Sequence, residues 1–141
     1  MTLNRFTASG IAVIAFAAGS FFTRVQTIRA DSNRVFELRI YHTVPGKVPA
    51  LTTRFRDIAS KLLAKHELKA VGYWIPQDAP ASDNTFIYIL AHPSREGAKS
   101  NWAAMFADPA FQEMGKMEQT EKLVEKVDSI YMSPTDFSPM K

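Results

Sequence analysis

The chain has 141 residues, room for one ordinary domain, with 46% hydrophobic and 22% charged residues, a globular balance that excludes collagen-like, low-complexity and coiled-coil architectures. It carries 17 Lys+Arg against 14 Asp+Glu, but Arg5, Arg24 and Arg29 all precede residue 31, where there is no acid, so the rest balances 14 basic against 14 acidic side chains. That balance removes basicity as a ground for nucleic-acid binding, and the absence of cysteine excludes a disulfide framework.

Residues 1–30 have the layout of an export leader. Arg5 forms a short basic head, Phe6 to Thr23 is uncharged, and the centre, Ile11-Ala12-Val13-Ile14-Ala15-Phe16-Ala17-Ala18, is apolar. Ala30 offers a small residue for cleavage, which predicts a periplasmic or secreted product. Without cleavage, residues 6–23 are long enough, at the short end, to anchor the chain in a bilayer. Membrane association is expected only by that route. Residues 31–34, Asp-Ser-Asn-Arg, read as a linker to a domain over 35–141.

Val35 to His42 alternates strictly, with Phe36, Leu38 and Ile40 on one side and Glu37, Arg39 and Tyr41 on the other, the period of a strand. Pro45-Gly46 ends it. Pro49 to Lys65 repeats Leu51, Phe55, Ile58 and Leu62 at helical steps, with Arg54, Arg56, Asp57, Lys61 and Lys65 largely off that stripe. Lys69 to Pro76 and Thr85 to His92 read as two further strands around a turn-rich loop, Gln77 to Asn84. A second helical region starts at Pro93-Ser94, with Ala98, Trp102, Met105 and Phe106 on one face. It restarts at Asp108-Pro109, an N-cap followed by proline at the first helical position. Val124 to Ser133 is the last strand, and 134–139 an irregular tail.

The order strand, helix, strand, strand, helix, strand predicts an α+β fold of ferredoxin-like βαββαβ type: a four-stranded antiparallel sheet with the helices on one face. Alternation places Glu37, Arg39, Tyr41, Trp74 or Tyr73, Tyr88, Ser129 and Tyr131 on or near the face the helices leave bare. A face so aromatic and polar is expected to pair with a second copy, giving a homodimer with a lined cavity.

Four stretches carry a resemblance to a known family. They are Phe36-Glu37-Leu38-Arg39-Ile40-Tyr41 with Pro45-Gly46-Lys47; His66 followed by Val71-Gly72-Tyr73-Trp74; Ser100 to Phe106 with Asp108-Pro109; and Pro134-Thr135-Asp136-Phe137-Ser138-Pro139. From Val35 onward the chain resembles the NIPSNAP family. It departs at Glu67, where the family pattern has glycine, and at Phe111, where it has tryptophan. The resemblance implies a dimeric α/β-barrel in a superfamily that includes chlorite dismutases, haem-degrading enzymes and cofactor-free monooxygenases, while NIPSNAP proteins themselves have no generally assigned reaction.

Glu37, Arg39, Tyr41, His42, Trp74, Tyr88, His92 and Tyr131 are the candidate pocket residues. Arg39 is suited to a carboxylate or enolate with Glu37 orienting it, but the two better suit a buried structural pair that fixes the dimer interface. His42 and His92 fall at the ends of strands expected to be neighbours, where they are placed to approach one another as general bases. The aromatic residues suit a flat or apolar ligand, or plain packing. His66 suits a helix end, Asp108 a cap, and Trp102, Met105, Phe106, Phe111, Met114 and Met117 a packing stripe. No cofactor or metal is predicted: a haem iron would have to use a lone histidine, and no metal-ligand spacing is present. The expected function is small-molecule binding by an exported homodimer, with a monooxygenase-like enzyme as the alternative.

Overall fold

The computed structural model describes residues 34–141; the expected leader, residues 1–30, and the linker up to Asn33 lie outside the described residues. The elements run β1 (Val35–Thr43), α1 (Val48–Arg54), one π-helical turn (Phe55–Ala59), α2 (Ser60–Lys65), β2 (Lys69–Trp74), α3 (Ala81–Asn84), β3 (Thr85–His92), α4 (Arg95–Phe106), α5 (Pro109–Glu121) and β4 (Val124–Met132). The four strands form one sheet in the order β2-β3-β1-β4, every neighbouring pair antiparallel. This is the ferredoxin-like arrangement expected from the element order. The short α3 sits in what the sequence predicts to be a plain loop. Among the described residues, no helix is long and apolar enough to cross a membrane.

Local chemistry fixes the helix ends. Ser94 Oγ accepts the Gly97 amide at 3.0 Å and starts α4; Asp108 Oδ1 accepts the Ala110 amide at 2.8 Å and starts α5, with Pro109 behind it. Asp108 Oδ2 also accepts from Lys65 Nζ (2.6 Å) and His66 Nε2 (2.7 Å), clamping the end of α2 to the start of α5. The Lys65 and His66 donors, with the Ala110 amide, hold the Asp108 carboxyl well below its usual range. His66 is thus structural, as its position in the sequence suggests.

The core lies between the sheet and the helices: Leu51, Phe55, Ala59, Leu62 and Leu63 from the first helical segment, Phe86, Tyr88 and Leu90 from β3, Trp102 and Met105 from α4. Tyr41 packs against this cluster as well. Here the expected assignment of faces is reversed. Glu37, Arg39, Tyr41, Tyr88, Ser129 and Tyr131 point toward the helices, as the bond from Trp102 on α4 to Glu37 requires. The outer face carries Leu38 and Ile40 of β1, opposite Ile89 and Ile87 of β3, with Ile130 beside Leu38. Period-two alternation separates two faces but does not say which one the helices cover. The usual preference for burying the apolar row predicts Phe36, Leu38 and Ile40 on the helix side. In this chain the polar row faces the helices, with Glu37 buried and bonded at its centre.

Trp74 and Tyr73 part accordingly. Tyr73, opposite Tyr88, joins the helix-side aromatic cluster, while Trp74, opposite Ile87, lies on the outer face and is 47% exposed. The Trp74 ring lies over Gly72, where an added Cβ would come within 2.8 Å of it.

Glu67 explains one departure from the family pattern. Its φ is 56°, in the left-handed region. It follows the last turn of α2 in a Schellman arrangement, with Leu68 N–H on the Leu63 carbonyl (2.9 Å) and Glu67 N–H on the Ala64 carbonyl (3.2 Å). Glycine takes that conformation without the Cβ clash, which costs roughly 1–2 kcal/mol per residue. The exposed Glu67–Lys69 ion pair adds little in return. Glu67→Gly is therefore expected to raise stability by about 1 kcal/mol, measured by urea unfolding; no gain would show that the turn is held some other way.

Candidate functional site

A cavity of about 360 Å³ opens between the sheet and the helices. The sheet contributes Arg39, Tyr41, Tyr88 and Val127; the first helical segment Leu51, Arg54, Phe55, Ala59 and Leu63; α4 Trp102, Met105 and Phe106. On α5, Phe111, Met114, Gly115 and Glu118 recur at helical spacing and close the far wall. Phe55 and Ala59 begin and end the π turn, a geometry that adds a residue to one helical turn and recurs at functional sites.

Behind Arg39 lies a saturated carboxylate. Glu37 is 1% exposed and accepts four hydrogen bonds. Ser129 Oγ (2.7 Å) and Arg39 Nη1 (3.2 Å) donate to Oε1; Trp102 Nε1 (2.8 Å) and His92 Nε2 (3.0 Å) donate to Oε2. Burial alone pushes this carboxyl up, but the bonds from His92, Ser129 and Trp102 and the Arg39 charge outweigh it and hold the pKa down at about 2. Glu37 is a fixed anion that orients Arg39. The guanidinium is held further by the Trp102 ring, 4.9 Å from its carbon, and the Tyr41 ring, 5.8 Å away.

Arg54 is the residue whose place the sequence pattern misses. It reads as lying off the apolar stripe, yet it is 8% exposed and lines the cavity, with Nη1 bonded to Glu118 Oε2 and Nη2 to Glu121 Oε2 (2.8 Å). The partners sit more than 60 residues downstream, so no local signal marks the pair. Trp102 and Phe111, expected as packing residues, are also cavity walls. Gly115 on α5 is the one available clue to a wall position, since glycine inside a helix costs about 1 kcal/mol relative to alanine.

The eight candidate residues separate into four groups. Arg39, Tyr41 and Tyr88 line the cavity, and Glu37 and His92 are buried behind it. Tyr131 lines a neighbouring open cleft with Arg95 and Lys99; the Arg95 guanidinium lies over its ring at 3.1 Å. Trp74 and His42 are on the opposite face of the sheet, where His42 Nε2 pairs with Asp128 Oδ2 at 2.8 Å. The two histidines do not approach. Because β1 and β3 are antiparallel, His92 stands opposite Val35 and His42 opposite Thr85, about 24 Å apart along the sheet. Adjacency of strands was legible, but direction decides which ends meet. Among the described residues, no cluster of three or more His, Cys, Asp or Glu side chains is arranged to hold a metal.

Three comparisons bear on identity. The NIPSNAP family model matches residues 36–139. No curated protein matches the sequence. Among solved structures, a NIPSNAP family protein of unknown function from Agrobacterium tumefaciens is 24% identical with a TM-score of 0.68, covering 78% of this chain and 96% of its own. A second Agrobacterium tumefaciens NIPSNAP protein is 22% identical with a TM-score of 0.68, covering 77% and 92%. An uncharacterized NIPSNAP-like domain protein from Burkholderia xenovorans is 19% identical with a TM-score of 0.68, covering 77% and 90%. At these identities the structures establish the shared fold, and the family match spans nearly the whole described domain: the chain belongs to the NIPSNAP family.

Proposed function

We propose that the protein is an exported homodimer that binds a small apolar or aromatic molecule in the cavity between sheet and helices, and that it binds without turning its ligand over. The observation that carries this reading is where the histidines stand relative to the cavity. A general base must reach the proton it removes. His42 is on the far side of the sheet and His92 is fully buried against Glu37. Of the carboxylates on the wall, Glu118 is committed to Arg54 and to the Val124 amide, while Glu125 is exposed to solvent. What remains is an apolar, aromatic chamber, the usual form of a binding site.

The proposed pairing of two copies runs through the outer sheet face. That face presents Leu38, Ile40, Ile87, Ile89 and Ile130, with Ile130 48% exposed, and a contiguous apolar face of this kind is ordinarily covered. Export rests on the leader, and the mass of the denatured protein tests it: cleavage after Ala30 gives a chain beginning at Asp31, and an intact Met1 contradicts cleavage.

Gly115→Leu tests the cavity. A Cβ at Gly115 meets nothing within 4 Å, so the side chain enters open space at the wall. Replacing this helical glycine is expected to stabilise the fold by about 0.5–1 kcal/mol while the added side chain obstructs the chamber. Titration with the neutral fluorophore phenylnaphthylamine should show binding by the wild type and loss of it in this folded variant. Unchanged binding in Gly115→Leu would place the ligand elsewhere.

A further inference from the structure

We propose that the ligand is an acid: a compact apolar or aromatic body carrying one ionised oxygen, received by Arg39, Tyr41 and Tyr88 at the floor of the cavity. This rests on the binding reading above and adds the ligand's chemistry. A guanidinium has five N–H groups. Among the described residues Arg39 makes one close hydrogen bond, to Glu37, and weaker contacts to the Tyr41 and Tyr88 hydroxyls, while its Nε–H is buried without a partner and its side chain is only 18% exposed. The Tyr41 and Tyr88 hydroxyls face each other at 3.4 Å, so one serves as acceptor for the other and a second O–H has no acceptor from the protein. Burial keeps the Tyr88 phenol well above its ordinary pKa, and hence protonated and able to donate.

Acceptors are lacking at the same place. Glu37 already takes four bonds, and Arg54, the other arginine on the wall, has its charge paired with Glu118 and Glu121, although its Nε–H is also buried without a partner. The floor is therefore rich in donors and short of acceptors, under walls of Leu51, Phe55, Met105 and Met114. An ionised oxygen satisfies these donors best, because charge-assisted bonds are about twice as strong as neutral ones. An apolar body then occupies the remaining chamber.

Fluorescence titration of the full protein with naphthoate and with its uncharged methyl ester tests this. The wild type should bind the acid about 10- to 100-fold more tightly, the discrimination charge-assisted hydrogen bonds give. In Tyr41→Phe/Tyr88→Phe, which keeps the ring packing, and in Arg39→Gln, that preference should fall to a few-fold while ester binding persists. Equal binding of acid and ester by the wild type would overturn the inference and leave the cavity reading standing. So would an acid preference that survives in the tyrosine double variant, which decides the matter even if Arg39→Gln does not fold. Binding of neither probe would remove the cavity reading itself, and this inference with it.

Discussion

Glu37→Leu should lower the melting temperature by about 15–25 °C, which corresponds to a loss on the order of 3–5 kcal/mol in a domain of this size. The substitution removes one carboxylate and leaves four donors without an acceptor: Ser129 Oγ, Trp102 Nε1, His92 Nε2 and the Arg39 guanidinium. Stranding buried donors and an unpaired charge costs far more than the original bonds contributed. Glu37→Gln keeps one acceptor oxygen and should fall between. The effect also has a pH signature. The carboxyl titrates at about 2 when folded against an ordinary value of 4.5, so the folded state binds its proton less readily than the unfolded chain. At about 1.4 kcal/mol per tenfold change, the ionised group contributes about 3 kcal/mol at neutral pH. That contribution is complete above pH 4.5 and is lost as pH falls from 4.5 toward 2. Denaturant unfolding of the wild type and Glu37→Gln across pH 2–6 should show curves that converge on acidification. Parallel curves would mean that Glu37 is not the fixed anion described here.

Ile130→Glu should dissociate the proposed dimer. Ile130 lies on the outer sheet face beside Leu38 and is 48% exposed in the single chain, so a carboxylate there is solvated in a monomer. Exposed substitutions of this kind usually change stability by no more than about 0.5 kcal/mol. In a two-fold pairing of the outer faces, both copies carry the charge into an apolar interface, at a cost of several kcal/mol per ion. The dimer dissociation constant should rise at least about 100-fold, read by analytical ultracentrifugation across a dilution series. The circular dichroism spectrum should be unchanged. A variant that dimerises as the wild type does would show that the pairing surface is elsewhere.

Element order and type were legible in this sequence because each rests on short-range patterning. Strict alternation marks β1, a turn-bounded apolar run marks β3, Asp108-Pro109 marks the start of α5, and Ser94 the start of α4. The orientation of the sheet was not legible. Phe36-Leu38-Ile40 and Glu37-Arg39-Tyr41 are equally regular rows, and the usual preference for burying the apolar one pointed the wrong way. The polar row turns toward the helices because Trp102 supplies a donor to Glu37 from α4, a partner 65 residues away that no local pattern announces. Arg39, Tyr41 and Tyr88 share one face by alternation, so they stay together as pocket residues although that face is the helix side and not the bare one. Their grouping with His42 and Trp74 failed with the orientation. Arg54 was missed for the reason that hides Trp102: its carboxylate partners come from α5, and only the tertiary fold brings them to it.

Native mass spectrometry of the full protein purified from its own host, set against its denatured mass, tests the central claim most directly. The expected result is a dimer that carries extra mass, removable under denaturing conditions and acidic when isolated. A bare monomer would contradict both the pairing of the outer sheet faces and the cavity as a binding site.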